Sequence, residues 1–150
     1  VYCFGNALHG DDGVGLSIAQ TLRQRCAPEE VEVLDLGTDG LMLSHFLADG
    51  AETVLVDAWR GDGPTGQVTV HRNVGVFMAE VGDPVSHSAD LRFALRAARA
   101  ELDVLPPVQI VTVTIAKVAM FHIGLSPAVE RAVPEAVTEI VRLIREKEDT

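Results

Sequence analysis

The period of the apolar positions changes several times along the chain. "VYCFG" is a short apolar segment ending in glycine, and in "VGLSIAQTLRQRC" Val14, Ile18 and Leu22 recur every four residues, the spacing of one helix face. The opening therefore reads strand, turn, helix. "VEVLDLG" alternates as a second strand, "GLMLSHFLADG" reads as a helix closed by glycine, and "TVLVDAW" is a third, almost wholly apolar strand. "QVTVHR" follows the turn-rich "RGDGPTG" too closely for a helical crossover, which predicts an antiparallel partner for the third strand. A helix starting at Ser88 or Ala89 runs through "DLRFALRAARAEL", "PPVQIVTVTI" supplies a fifth strand, and "SPAVERAVPEAVTEIVRLIREKE" is a long last helix. Ser126 is placed to cap that helix and Pro127 suits its first position, while Pro134 predicts a kink or a late start. "EKEDT" is expected to fray.

Strands separated by helices, with apolar runs suited to burial on both faces, place the chain in the α/β class. The expectation is one domain of three layers: a five-stranded, mostly parallel sheet with one antiparallel strand, and helices on both faces. A length of 150 residues fits one domain, and a hydrophobic fraction of 47% supplies a core. Repeats, low-complexity segments and an interdomain linker are absent from the sequence.

The formal net charge is -10, without a cluster of Lys and Arg to neutralise a run of phosphates, which argues against general nucleic-acid binding and against an anionic membrane surface. No apolar run reaches the roughly 20 residues of a membrane span, and no basic-then-apolar leader precedes the first motif. A soluble, cytoplasmic protein is expected, and a monomer rather than an oligomer. Cys3 and Cys26 lack C-x-x-C spacing and read as reduced, buried thiols.

In an open α/β sheet the loops at the carboxyl ends of the strands form the ligand crevice. "GNALHGDDGVG" is such a loop, but its glycines at positions 5, 10, 13 and 15 match neither the dinucleotide fingerprint nor a phosphate loop. Asp11 and Asp12 at a helix N-terminus would repel phosphate. Two readings are open for them: one aspartate caps the helix, or a carboxylate faces the crevice and receives a cation. Asp57, in "LVDAW", ends the third strand at the same crevice, and His87, in "PVSHSAD", precedes a helix. Each alone has a bland reading, as a turn or a helix-start residue. Two carboxylates and an imidazole on three loops would make an open nitrogen and oxygen site suited to nickel, zinc or a similar divalent ion.

Other residues are weaker candidates. Asp35 ends the second strand and reads as a crevice-edge residue that steers a substrate or supports the turn at "GTDG". His9 and His122 lie where they could face the crevice as supporting or substrate-contact residues. His45 and His71 are expected at the surface, and Trp59 is expected to cover the sheet.

With these residues in view, the sequence resembles the hydrogenase maturation proteases, which trim the C-terminal extension from the large subunit of nickel-iron hydrogenases. The resemblance rests, in order, on "GNALHGDDGVG", "LDLGTDG", "VLVDAW", "SHSADLRFAL" and "HIGLSPAVERAV". It departs at Cys3, which stands where the family has the first glycine of G-x-G-N, and after the fifth strand, where "TIAKVAMFHIGLS" lacks a Gln-Pro pair. The resemblance implies that Asp12, Asp57 and His87 meet nickel already installed in the precursor, so that the ion comes with the substrate; other divalent ions could take its place in the isolated protein. It implies an endopeptidase with that precursor as partner, and in the sequence no Ser-His-Asp arrangement, reactive Cys or H-E-x-x-H motif competes for the role. A non-proteolytic nickel-site chaperone or precursor-binding protein is the alternative, and a nucleotide-binding module is a third reading that the loop charge disfavours.

Overall fold

The computed structural model describes residues 1–80, 88–116 and 118–148. Five strands form one sheet: β1 (Tyr2–Phe4), β2 (Leu34–Gly37), β3 (Thr53–Trp59), β4 (Val68–His71) and β5 (Val108–Thr114), in the spatial order β2-β1-β3-β5-β4. All neighbours pair parallel except β4 with β5. From β1 the chain steps to β2 on one side and returns to β3 on the other, so the order reverses between β1 and β3. Such a reversal opens a crevice at the carboxyl ends of the strands.

Helices α1 (Val14–Arg25) and α5 (Pro127–Glu148) cover one face, and α2 (Leu43–Leu47), α3 (Val74–Ala79) and α4 (Ser88–Leu102) cover the other. Val14, Ile18 and Leu22 of α1 are fully buried with Cys3, Val56 and Val111, each such side chain contributing about 1.5–3 kcal/mol relative to exposure. In α5 the buried stripe Val129, Val133, Ala136, Val137, Ile140 and Leu143 repeats at helical spacing. Pro134 lies on the exposed side of that helix, where water can replace the bond its ring nitrogen cannot donate. The helix therefore starts at Pro127 and runs through Pro134, against the expectation of a late start.

The antiparallel strand is not the neighbour of β3. Its partner is β5, with Val68 opposite Val113 and His71 opposite Ile110. β3 and β5 match over their whole lengths, from Thr53 opposite Val108 to Trp59 opposite Thr114, and that longer parallel register takes the free edge of β3. Residues 60–67 then only need to cross one strand position, roughly 10 Å between alternate strands. β2 is shorter than its apolar pattern because β1 offers only Tyr2, Cys3 and Phe4 as partners. The segment read as one helix over "GLMLSHFLADG" is a 3₁₀ turn at Gly40–Met42 running into α2. α3 was not foreseen; Asn73 caps it by accepting from Val76 N at 3.0 Å, and Phe77 and Met78 are buried. No described helix is long and apolar enough to cross a membrane.

Candidate active site

The loop after β1 is packed so closely that two of its glycines are obligatory. A Cβ on Gly5, whose φ is +132°, would stand 2.1 Å from the Asp12 carbonyl oxygen, and one on Gly15 would stand 2.1 Å from that of Phe4. The glycines of this motif thus press the first turn of α1 against the end of β1. They set a 3₁₀ turn, Gly10–Gly13, immediately before α1.

The adjacent aspartates in that turn have different tasks. Neither caps α1, whose N-cap is Gly13 without a side-chain hydrogen bond. Asp11 accepts from Ser126 N at 2.6 Å and from Ser126 Oγ at 2.8 Å, tying the turn to the start of α5. Asp12 is fully buried, and its Oδ2 accepts from Asn6 N at 3.0 Å.

Asp57 lies near the end of β3, 3% exposed, with Oδ1 accepting from Ala58 N at 2.8 Å. By strand alternation it shares the α4 face with Leu55 and Trp59. It lines a small pocket with Phe4, Gly5, Gly37, Thr38 and Leu91, at the reversal between β1 and β3. The 3₁₀ turn bearing Asp12 packs against β3. One end of the sheet therefore holds two buried carboxylates on neighbouring elements, where ionised groups are costly unless hydrogen-bonded or met by positive charge. His87, the third residue of the expected set, lies outside the described residues. Among the described residues no group of three His, Cys, Asp or Glu side chains is arranged to hold a metal ion.

The other candidates separate. Asp35 is exposed and its Oδ1 accepts from Gly37 N at 3.0 Å, which supports the turn. His9 and His122 pair through a parallel backbone bridge: His122 N donates to Leu8 O at 2.9 Å and Gly10 N donates to His122 O at 2.7 Å. His9 is half-buried, its ring edge-on to Phe121 at 6.1 Å, whereas His122 is exposed. The Cys3 thiol is buried and pushed up to about 12, chiefly by desolvation. Cys26 is only half-buried, a departure from the expected burial.

His71 is not the surface residue its place on an edge strand predicted. Its Nε2 lies 3.0 Å from Thr112 Oγ1, its ring packs 4.9 Å from Phe77 and 5.8 Å from Trp59, and burial lowers its pKa. Trp59 covers the sheet as expected, and a cationic side chain that no sequence motif marks lies against its ring. Arg92, 4% exposed, sets its guanidinium 4.4 Å from the Trp59 ring centroid, with Nη2 3.8 Å from Glu80 Oε2. Desolvation lowers its pKa. The available signal was its place beside Leu91 and three residues before Leu95, at the margin of the apolar stripe of α4.

The family model described as hydrogenase maturation protease matches residues 16–143. The hydrogenase 2 maturation protease of Escherichia coli strain K12 is 30% identical over 145 residues, covering 95% of this chain and 87% of that protein. The structure of the hydrogenase maturating endopeptidase HybD from E. coli superposes with a TM-score of 0.77 at 29% identity, over 97% of this chain and 91% of the other. HybD from Thermococcus kodakarensis, a [NiFe] hydrogenase maturation protease, gives 0.74 at 26% identity over 95% and 96%. With the same five-stranded mixed sheet and a match across nearly its whole length, the chain belongs to the hydrogenase maturation protease family.

Proposed function

We propose that this protease removes the C-terminal extension of a nickel-iron hydrogenase large-subunit precursor by recognising nickel that the precursor itself carries. The observation that supports this reading is the burial of Asp12 and Asp57 on neighbouring elements at one end of the sheet, with Asp57 lining a pocket at its reversal point. Anionic oxygens held there suit a cation and repel phosphate. His87 joins them through the family motif, adding a nitrogen donor. Nickel belongs to the substrate in this scheme, and a divalent ion beside a peptide bond supplies the positive charge that polarises a carbonyl or water.

The chain's own residues fix the geometry. Asn6 N orients the Asp12 carboxylate and Ala58 N orients that of Asp57, so each presents oxygen from rigid backbone. One of these carboxylates takes the proton from the attacking water, and that proton passes to the amine leaving group as the peptide bond breaks. A thiol nucleophile is disfavoured, because desolvation keeps Cys3 protonated and its side chain lies in the core on the α1 and α5 face.

The test mixes the chain with large-subunit precursor, with and without nickel, and weighs the products by mass spectrometry. Loss of a C-terminal peptide from the nickel-loaded precursor alone is the expected result. Equal cleavage without nickel removes the metal-recognition step, and an intact mass in a stable complex makes the chain a binder.

A further inference from the structure

Among the described residues nine large hydrophobic side chains are exposed, and six of them sit on loops at the carboxyl end of the parallel strands: Leu8, Leu41, Met42, Met120, Phe121 and Ile123. The densest group is on residues 118–126, where Met120, Phe121 and Ile123 are 66%, 85% and 78% exposed. Solvent alone gives no reason to hold such side chains out together. Phe121 also has φ 55°, a left-handed conformation that bulky residues rarely adopt.

This rim is joined to the candidate active site by hydrogen bonds. Leu8 O and Gly10 N grip His122 from either side, and Asp11 holds Ser126 at the end of the same segment. Gly10 and Asp11 are in the 3₁₀ turn that carries Asp12, so the apolar rim and the buried carboxylate are two parts of one latched unit. The charge divides the same way. Residues 118–126 contain no Asp, Glu, Lys or Arg in a chain of net charge -10, whereas the turn they are bonded to carries Asp11 and Asp12.

We infer that the rim formed by Met120, Phe121 and Ile123, continued by Leu8, is a docking surface for apolar residues of the hydrogenase large-subunit precursor next to its scissile bond. The inference rests on the proposed function for the identity of the occupant. The acidic crevice receives the cationic centre, and the uncharged rim grips the adjacent polypeptide. The rim thereby contributes to affinity rather than to the chemical step.

Phe121→Asn combined with Ile123→Ser tests this, since Asn accepts the left-handed backbone at position 121. Precursor binding is measured by biolayer interferometry separately from cleavage, with Val104→Ser as the control. Val104 is 78% exposed but lies before β5, at the opposite end of the sheet. The double variant is expected to bind precursor at least about tenfold more weakly and to raise KM with kcat nearly unchanged, while the control matches wild type. Equal binding by wild type and double variant overturns the docking surface and leaves the proposed function standing. Tight wild-type binding that the double variant loses, without cleavage by either, keeps the docking surface and overturns the protease reading. Sedimentation showing a wild-type dimer that the double variant dissociates assigns the rim to a second copy of the chain and overturns the inference.

Discussion

Asp11 and Ser126 stand 115 positions apart in the sequence and share two hydrogen bonds, from the Ser126 amide at 2.6 Å and from its hydroxyl at 2.8 Å. The pair closes the loop after β1 onto the loop after β5 across the carboxyl end of the sheet. It also explains the adjacent aspartates: one carboxylate fastens two loops, and the other is buried between the turn and the sheet.

Removing the latch is expected to loosen both loops. Asp11→Ala eliminates two bonds to a charged acceptor, at about 2 kcal/mol in total. The melting temperature should fall by roughly 5 °C, with faster proteolysis within residues 118–126. Asp11→Asn should recover part of the loss, because its amide oxygen still accepts from the Ser126 amide. Melting curves identical to wild type would show that the two loops are held by other contacts.

The buried carboxylates of the crevice predict the opposite pattern. Asp12→Asn and Asp57→Asn keep an oxygen to accept from Asn6 N and Ala58 N, but remove charge from a low-dielectric position. Precursor processing should fall at least about a hundredfold, with the melting temperature unchanged or raised. His87→Ala should lose processing in the same way. Wild-type rates in all three variants would dissociate these residues from the reaction.

Much of this arrangement is legible in the sequence because its signals are local. The four-residue spacing of Val14, Ile18 and Leu22 marks the buried face of α1, and the almost wholly apolar run of β3 marks a strand covered on both faces. Asp57 stands out as the charged residue in that run, and it lies two residues before the end of β3. What failed was set by pairing at a distance. Nothing within "QVTVHR" says that β5 will outcompete it for the edge of β3, and nothing near His71 announces Trp59, Phe77 and Thr112 as its neighbours. The sequence leaves either adjacent aspartate as a helix cap, because the partner of Asp11 is Ser126, far along the chain.

The glycine at position 15 gives a direct test of the close packing under the site. Its Cβ in an alanine variant would fall 2.1 Å from the Phe4 carbonyl oxygen, a backbone atom that cannot move without shifting β1. Gly15→Ala should therefore destabilise by about 3 kcal/mol or more, although alanine is the better helix former. Gly37→Ala makes a useful comparison, since nothing lies within 4 Å of its added Cβ and its strain comes only from φ +57°. A Gly15→Ala variant as stable as wild type would mean that α1 can slide away from β1.

His71 makes stability depend on pH in a defined direction. Burial lowers its pKa below the ordinary 6.5, with Arg92 acting the same way and Glu80 opposing. The imidazole is thus held neutral beside Thr112 and the aromatic rings. As pH falls through about 6.5, the unfolded chain gains a proton that the folded chain resists, so the contribution is complete above that value and is lost on acidification. His71→Gln, which can still hydrogen-bond Thr112, abolishes the titration. Between about pH 7.5 and 5.5 the wild-type melting temperature should fall further than that of the variant, while carboxylates common to both contribute equally. Parallel curves would show that the imidazole takes up its proton in the fold without cost, and therefore that Trp59, Phe77 and Thr112 do not seal it from water.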